Sequence, residues 1–238
     1  MTSLTVPRPP RAVLFGSIGT LVETSDIQRR AFNAAFLEAG VPWQWSEAEY
    51  RDMLGRSGGR DRIAAHAEAQ GLRVDAAALH ARKSEIFRAM IAEIGLPLRA
   101  GVSDVLAAAG GSGVPVALVA TTAPETVAEI LSHASHPGLA DTFRLTVTTA
   151  DTPRPKPAPD GYAVALERLG VPAEAAVAIE DSPVSAGAAG AAGLPTIAFP
   201  GAFHAHRVFD GVAGRVDRLT PAALGLDTGA ARAAAAAG

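Results

Sequence analysis

Apolar residues along this chain switch between two periods. Ala12-Val13-Leu14-Phe15 is a short apolar run ending at the glycine-containing turn Gly16-Ser17-Ile18-Gly19, the pattern of a strand buried on both faces. A helical period follows. Ser25 stands as an N-cap, Ile27, Ala31, Phe32, Ala35 and Phe36 recur at helical spacing, and Gly40 supplies the stop. Ser46 and Glu49 have capping-box spacing and predict a second helix through Leu54. Helical patterning continues over 60–70 and 76–94. The pattern then changes. Residues 114–120, 145–149, 176–179 and 196–199 read as strands, separated by helical stretches over 124–134, 159–169 and 183–192. The last two stretches open with proline and close before Gly170 and Gly193, the expected helix punctuation.

Alternating strands and helices predict an α/β fold with a Rossmann-like parallel sheet covered on both faces. The first strand lies far from the others in sequence. The simplest architecture is therefore an α/β core of residues 1–24 and 96–238, interrupted by an all-helical cap over 25–95. Ligands of such sheets bind at the carboxyl ends of the strands, which directs attention to the residues just after Phe15, Ala120, Thr149 and Ile179.

Composition narrows the function classes. With 238 residues, 48% of them hydrophobic, the chain can bury a substantial core. A net charge of -3 offers no general attraction to nucleic acid or an anionic membrane. No apolar stretch approaches ~18 residues, so no transmembrane helix is expected. The absence of cysteine excludes disulfides, thiolate nucleophiles and cysteine-ligated metal, and fits a reducing cytoplasm. Met1 to Pro10 has no signal-peptide centre and reads as a short flexible leader. The alanine-rich tail from Gly229 carries no functional assignment.

Chemistry-bearing residues do gather at the predicted strand ends. Thr121 and Thr122 precede a helix start at Pro124, where a hydroxyl either binds a phosphate oxygen or caps the helix. Lys156 lies in a proline-rich segment, Arg154-Pro155-Lys156-Pro157-Ala158-Pro159, that restricts where its ammonium reaches. The alternative is a solvated lysine on a polyproline-like surface loop. Glu180 and Asp181 are adjacent carboxylates emerging from a buried strand. They need a metal, a lysine such as Lys156, or helix N-terminal amides to compensate their charge. The alternative is an Asp-Ser N-cap preceded by an exposed glutamate.

Together these segments resemble the haloacid dehalogenase (HAD) superfamily. Lys156-Pro157-Ala158-Pro159-Asp160-Gly161-Tyr162 and Ala178-Ile179-Glu180-Asp181-Ser182-Pro183 resemble the third and fourth motifs of HAD phosphatases and β-phosphoglucomutase, and Leu118-Val119-Ala120-Thr121-Thr122 the second. Leu14-Phe15 with Gly19-Thr20-Leu21-Val22-Glu23-Thr24 keeps the outline of the first. Arg29-Arg30-Ala31-Phe32-Asn33, Trp43 to Tyr50 and Gly58-Gly59-Arg60 look most like the xylulose-1,5-bisphosphate phosphatase branch. The resemblance implies a phosphorylated small molecule as ligand, Thr121, Thr122 and Lys156 as phosphate-binding residues, Asp181 as a metal ligand and Glu180 as its support. It further implies that Glu23, Arg60 and Lys83 contact substrate and that Mg²⁺ is the cofactor. For Arg60 and Lys83 a solvated helix face is the alternative.

The first motif departs from the family. Two aspartates are implied there, a nucleophile and a general acid-base, and the chain has Gly16 and Ile18. Gly16 cannot attack phosphorus, and Ile18 cannot transfer a proton, a contribution of ~10²–10⁴-fold where it operates. Ser17 is expected to point away from the site, because successive strand residues face opposite sides. Mg²⁺, which prefers several oxygen ligands, is expected to bind weakly or not at all. Gln28 replaces a family histidine. Four functions follow as alternatives. They are a phosphate-binding pseudoenzyme, an enzyme of non-phosphoryl chemistry using Glu180, Asp181 or a cap residue, an ordinary Mg²⁺-dependent sugar-phosphate phosphatase, and a protein-binding role of the cap, for which the sequence offers no specific surface.

Overall fold

The computed structural model describes residues 5–54 and 58–226; the alanine-rich tail lies outside them. The chain divides into two compact units, one of Thr24–Leu96 and one joining Met1–Glu23 to Pro97–Gly238.

The discontinuous unit is built on a sheet of β1 (Ala12–Phe15), β2 (Val116–Val119), β3 (Leu145–Val147), β4 (Ala176–Glu180), β5 (Thr196–Ala198) and β6 (Gly214–Arg215). Their order is β3-β2-β1-β4-β5-β6, and every neighbouring pair is parallel. Helices α5 (Val102–Gly111), α6 (Pro124–His133), α7 (Leu139–Thr142), α8 (Asp160–Leu169) and α9 (Pro183–Ala191) connect or precede the strands. Chain order runs outward in both directions from β1, which makes its carboxyl end the switch point of the sheet. Phe15 is in register with Leu118 on one side and Ile179 on the other, so the ends of β1, β2 and β4 lie level.

Both faces of β1 are sealed. Ala12 and Leu14 pack with Ala117, Val119, Val147 and Ala178 against Tyr162 and Ala165 of α8 and Ala188 and Ala189 of α9. Val13 and Phe15 point the other way and are equally buried. Phe15 meets Phe143 edge-on at 6.3 Å between ring centres. Small residues on α9 let that helix sit close to the sheet.

The helical unit contains α1 (Ser25–Glu38), α2 (Glu47–Met53), α3 (Gly59–Ala69) and α4 (Ala76–Ile94). The Ser46–Glu49 capping box forms as its spacing predicts. Phe32 and Phe36 of α1 pack on Trp45 with ring centres 4.9 and 4.7 Å away. Asn33 holds the Trp45 backbone by accepting from its N–H at 2.8 Å and donating to its carbonyl at 2.9 Å.

Several local expectations change. Thr24, not Ser25, is the residue before the first helical turn, and it caps through no side-chain bond. Strand β3 ends at Val147 because the Asp151 carboxylate accepts from both the Thr148 N–H (2.8 Å) and its hydroxyl (3.1 Å), closing a turn. Helix α5 was not anticipated, although Val102, Val105, Leu106 and Ala109 are buried at helical spacing with Ser103 and Asp104 exposed between them. Pro10 is buried rather than part of a free leader.

One turn tolerates no side chain. Gly101 has φ +84, and a Cβ there would overlap the Leu219 carbonyl oxygen. Gly101→Ala is therefore expected to destabilise the protein by about 2 kcal/mol or more, since positive-φ strain and a backbone clash act together. Urea unfolding checks this.

Candidate functional site

Level strand ends bring Gly16, Ala120, Thr121, Glu180 and Asp181 to one edge of the sheet. Gly16 still pairs with the sheet, its N–H donating to the Ile179 carbonyl at 2.9 Å. A Cβ at this position would overlap the Tyr162 hydroxyl and the Glu180 carboxylate. The space of a first-motif side chain is thus filled by a tyrosine and a glutamate.

Those two belong to a sealed cluster. The Lys156 ammonium donates to Glu180 Oε1 at 2.7 Å, to the Val119 carbonyl at 3.1 Å and to the Gly16 carbonyl, which uses all three of its hydrogens. Tyr162 donates its hydroxyl proton to the same Glu180 oxygen, and the ammonium lies 4.8 Å from the centre of the tyrosine ring. Burial pushes the Glu180 carboxyl above its ordinary range, opposed by the Lys156 charge. Burial, reinforced by the Glu180 charge, pushes the Tyr162 hydroxyl well up. Lys156 is therefore not a solvated loop lysine, and Glu180 is not an exposed residue ahead of a cap. Lys156 compensates Glu180, whereas Asp181 has no lysine partner among the described residues.

The rim of the site is more open. Ile18 is buried within a 3-10 turn, Ile18–Thr20, and its carbonyl accepts the N–H groups of Leu21 and Val22. Ser17 reverses its expected direction. Its hydroxyl donates to Asp181 Oδ1 at 2.8 Å. The physical reason is that β1 ends at Phe15, so the alternation rule stops applying before residue 17. Asp181 also closes over Gly19, where a Cβ would overlap its carboxylate. Ser182 caps α9 by accepting from the Ser185 N–H at 3.3 Å.

Thr121 is exposed and Thr122 half-buried. Neither caps α6, whose N-cap is Ala123 without a side-chain bond. Among the described residues the Thr121 hydroxyl has no protein partner, leaving it available beside the first-turn amides of α6. Glu23 accepts from the Ala202 N–H at 3.2 Å.

Sequence reasoning missed Arg99 and His204. Arg99 donates to the carbonyls of Gly19 (2.6 Å), Phe199 (2.9 Å) and Pro200 (2.7 Å), tying the first-motif turn to the loop after β5. His204 sits in that loop, and burial pushes its imidazole down against the opposing charges of Asp181 and Glu23. Neither residue lies in a segment with a recognisable motif. The cap residues Arg60 and Lys83 belong to the helical unit. Arg60 is exposed and 3.7 Å from Asp61. Lys83 is buried, which excludes the solvated-face reading for it.

A doubly wound parallel sheet with threonine, lysine and an acidic pair at adjacent strand ends is the layout of the HAD-type α/β proteins. The family model for haloacid dehalogenase-like hydrolases matches residues 10–193, and the chain belongs to that family. It is 39% identical to Protein CbbY of Cereibacter sphaeroides over 213 residues, covering 87% of this chain and 90% of that protein. CbbY from Rhodobacter sphaeroides in complex with phosphate superposes with a TM-score of 0.81 at 36% identity, over 88% of this chain and 94% of that one. A mutant of the same protein in complex with xylulose-(1,5)bisphosphate also gives 0.81, at 35% identity over 92% and 100% of the two chains.

The sealed cluster makes a specific stability prediction. Lys156→Met leaves a buried carboxylate without its cation and is expected to cost about 3–5 kcal/mol near neutral pH. Adding Glu180→Gln should recover most of that loss. In the single variant Glu180 binds its proton more tightly folded than unfolded. Its stability deficit should therefore shrink toward about pH 4 and grow as pH rises through the elevated carboxyl range. Urea midpoints across pH, for both variants, measure this.

Proposed function

We propose that this chain binds a phosphorylated sugar at the carboxyl ends of β1, β2 and β4 without passing the phosphoryl group through an aspartyl intermediate. The carrying observation is Gly16, whose missing side chain is replaced in space by Tyr162 and Glu180. No carboxylate stands where the family's nucleophile is implied, and the buried Ile18 supplies no proton for a leaving alkoxide. The likeness to CbbY in its phosphate and xylulose-(1,5)bisphosphate complexes supports the ligand class.

The anion is held by the Thr121 hydroxyl, with Thr122 beside it, and the first-turn amides of α6. Lys156 contributes positive charge from beneath. It gains a direct bond to the anion only by giving up one of its existing bonds.

The residues present fit Mg²⁺ poorly. A hard octahedral cation wants several oxygens at close range. Glu180 is taken by Lys156 and Tyr162, the Ile18 carbonyl by two amides, and the Gly16 carbonyl by Lys156. Asp181 alone remains, shared with Ser17. Among the described residues no three His, Cys, Asp or Glu side chains gather as a metal-holding group. Mg²⁺ binding is accordingly weak, and no step of this reading depends on it. Chemistry through Glu180 as an open acid or base is disfavoured by its complete burial.

Titration calorimetry with xylulose 1,5-bisphosphate and with inorganic phosphate tests binding, and Mg²⁺-dependent phosphate release tests turnover. Saturable binding is expected, weakened about tenfold or more by Thr121→Val, because a hydrogen bond to a charged group contributes about 1.5–3 kcal/mol. No phosphate release and no hydroxylamine-sensitive acyl phosphate should be detected. Mg²⁺-dependent turnover of the bisphosphate would establish the ordinary phosphatase instead, and absence of binding would overturn the pocket itself.

A further inference from the structure

The chain has only two lysines, Lys83 and Lys156, among its 21 lysine and arginine residues. Both are 6% exposed. Their surroundings are opposite in kind. Lys156 is matched to a carboxylate; Lys83, on α4 of the helical unit, is matched to none. Its ammonium lies 4.8 Å from the Phe32 ring centre and 5.1 Å from that of Phe87. Its one hydrogen bond among the described residues goes to the neutral side-chain oxygen of Gln28.

The charged group that acts on it is another cation, Arg62. Arg62 of α3 places its guanidinium 5.9 Å from the same Phe32 ring and 5.4 Å from that of Tyr50. The Arg62 Nε is buried without a hydrogen-bond partner among the described residues. Helix α1 meets the ammonium with Gln28 and Phe32, which carry no charge. His80, one turn earlier on α4, is itself pushed below its ordinary range by burial and then by Lys83, Arg62 and Arg60, with Asp61 opposing. Two cations thus contact one aromatic ring, and neither forms an ion pair with a carboxylate among the described residues.

We propose that Lys83 is a carbonyl-capturing amine, condensing with the aldehyde or ketone carbon of a negatively charged small molecule whose charge is held by Arg62. A desolvated ammonium beside a second cation loses its proton readily. Burial, then the Arg62 charge, pushes Lys83 down to about 7. A sizeable fraction of the side chain is then neutral amine near neutral pH, whereas an ordinary lysine is almost wholly protonated. The lone pair of Nζ forms a bond to the carbonyl carbon as the C=O π pair moves to oxygen. The two nitrogen protons leave with that oxygen as water, giving an imine. No oxidant or metal is required. The inference stands on residues of the helical unit alone, so it survives or fails independently of the strand-end pocket.

The test uses the full chain with glyceraldehyde 3-phosphate or unphosphorylated glyceraldehyde and cyanoborohydride, which reduces the imine to a stable secondary amine. Intact mass and peptide mapping read the product. Expected is one adduct on Lys83, formed at least about tenfold faster by the phosphorylated aldehyde. Its rate should climb from about pH 6 to 8 and then flatten, as the neutral amine becomes the major form. Lys83→Met and Lys83→Arg should both abolish the adduct; the arginine variant keeps the positive charge if the methionine variant fails to fold. Arg62→Gln should keep the adduct and lose the preference for phosphate. Labelling confined to Lys156 or the terminal amine, or the absence of any adduct on Lys83, would overturn the proposal. Equal rates for the two aldehydes would overturn the role of Arg62.

Discussion

The buried contact of Lys156 with Glu180 is the constraint around which the sheet end is organised. An ion pair withdrawn from water repays its desolvation only when nearly every donor and acceptor is used. Here the remaining hydrogens of the ammonium go to carbonyls of Gly16 and Val119, and Tyr162 adds a second donor to the glutamate. The cluster therefore knots together the segment after β1, strand β2, strand β4 and helix α8. Gly16 is part of that knot through its backbone, and the glutamate and tyrosine meet in the room its absent side chain leaves. What looks in the sequence like a lost nucleophile is, in three dimensions, a filled and charge-balanced interior.

Such an arrangement separates two properties that belong together in a phosphotransferase. The strand-end hydroxyl of Thr121 and the helix amides beside it form the proposed anion-binding rim. Positions 16 and 18, where the family's carboxylates are implied, carry glycine and isoleucine. The Ser17 to Asp181 hydrogen bond sits at the boundary between the two, reducing what the remaining open carboxylate offers to a cation. Arg99, locked onto three carbonyls, shapes this boundary by pinning the turn at Gly19 to the loop after β5.

Much of this was legible from residue order. Apolar runs at 12–15 and 176–179, helix punctuation by Pro183, Gly170 and Gly193, and the Ser46–Glu49 box all report local preferences that the tertiary structure reinforces. Helix α5 was harder to read, since Val102, Val105, Leu106 and Ala109 recur at helical spacing for only two turns before a glycine pair that disfavours helix. At the site, residue types were readable but orientations were not. Ser17 followed a strand rule past the end of its strand. The depth of Lys156 and Glu180 depends on a tyrosine six residues beyond the lysine and on a backbone carbonyl, neither of which spacing alone connects. Arg99 acts wholly through main-chain oxygens, a role that leaves no motif.

The aromatic packing of the helical unit has an optical consequence. Trp43 and Trp45 are the chain's only tryptophans. Both are buried among Phe36 and His66, with Trp45 also against Phe32 and Tyr50. Indole emission therefore reports on the helical unit and is silent on the sheet, whereas far-ultraviolet dichroism sees both. A single sample followed by the two signals resolves whether the halves of this chain melt as one cooperative body or as two.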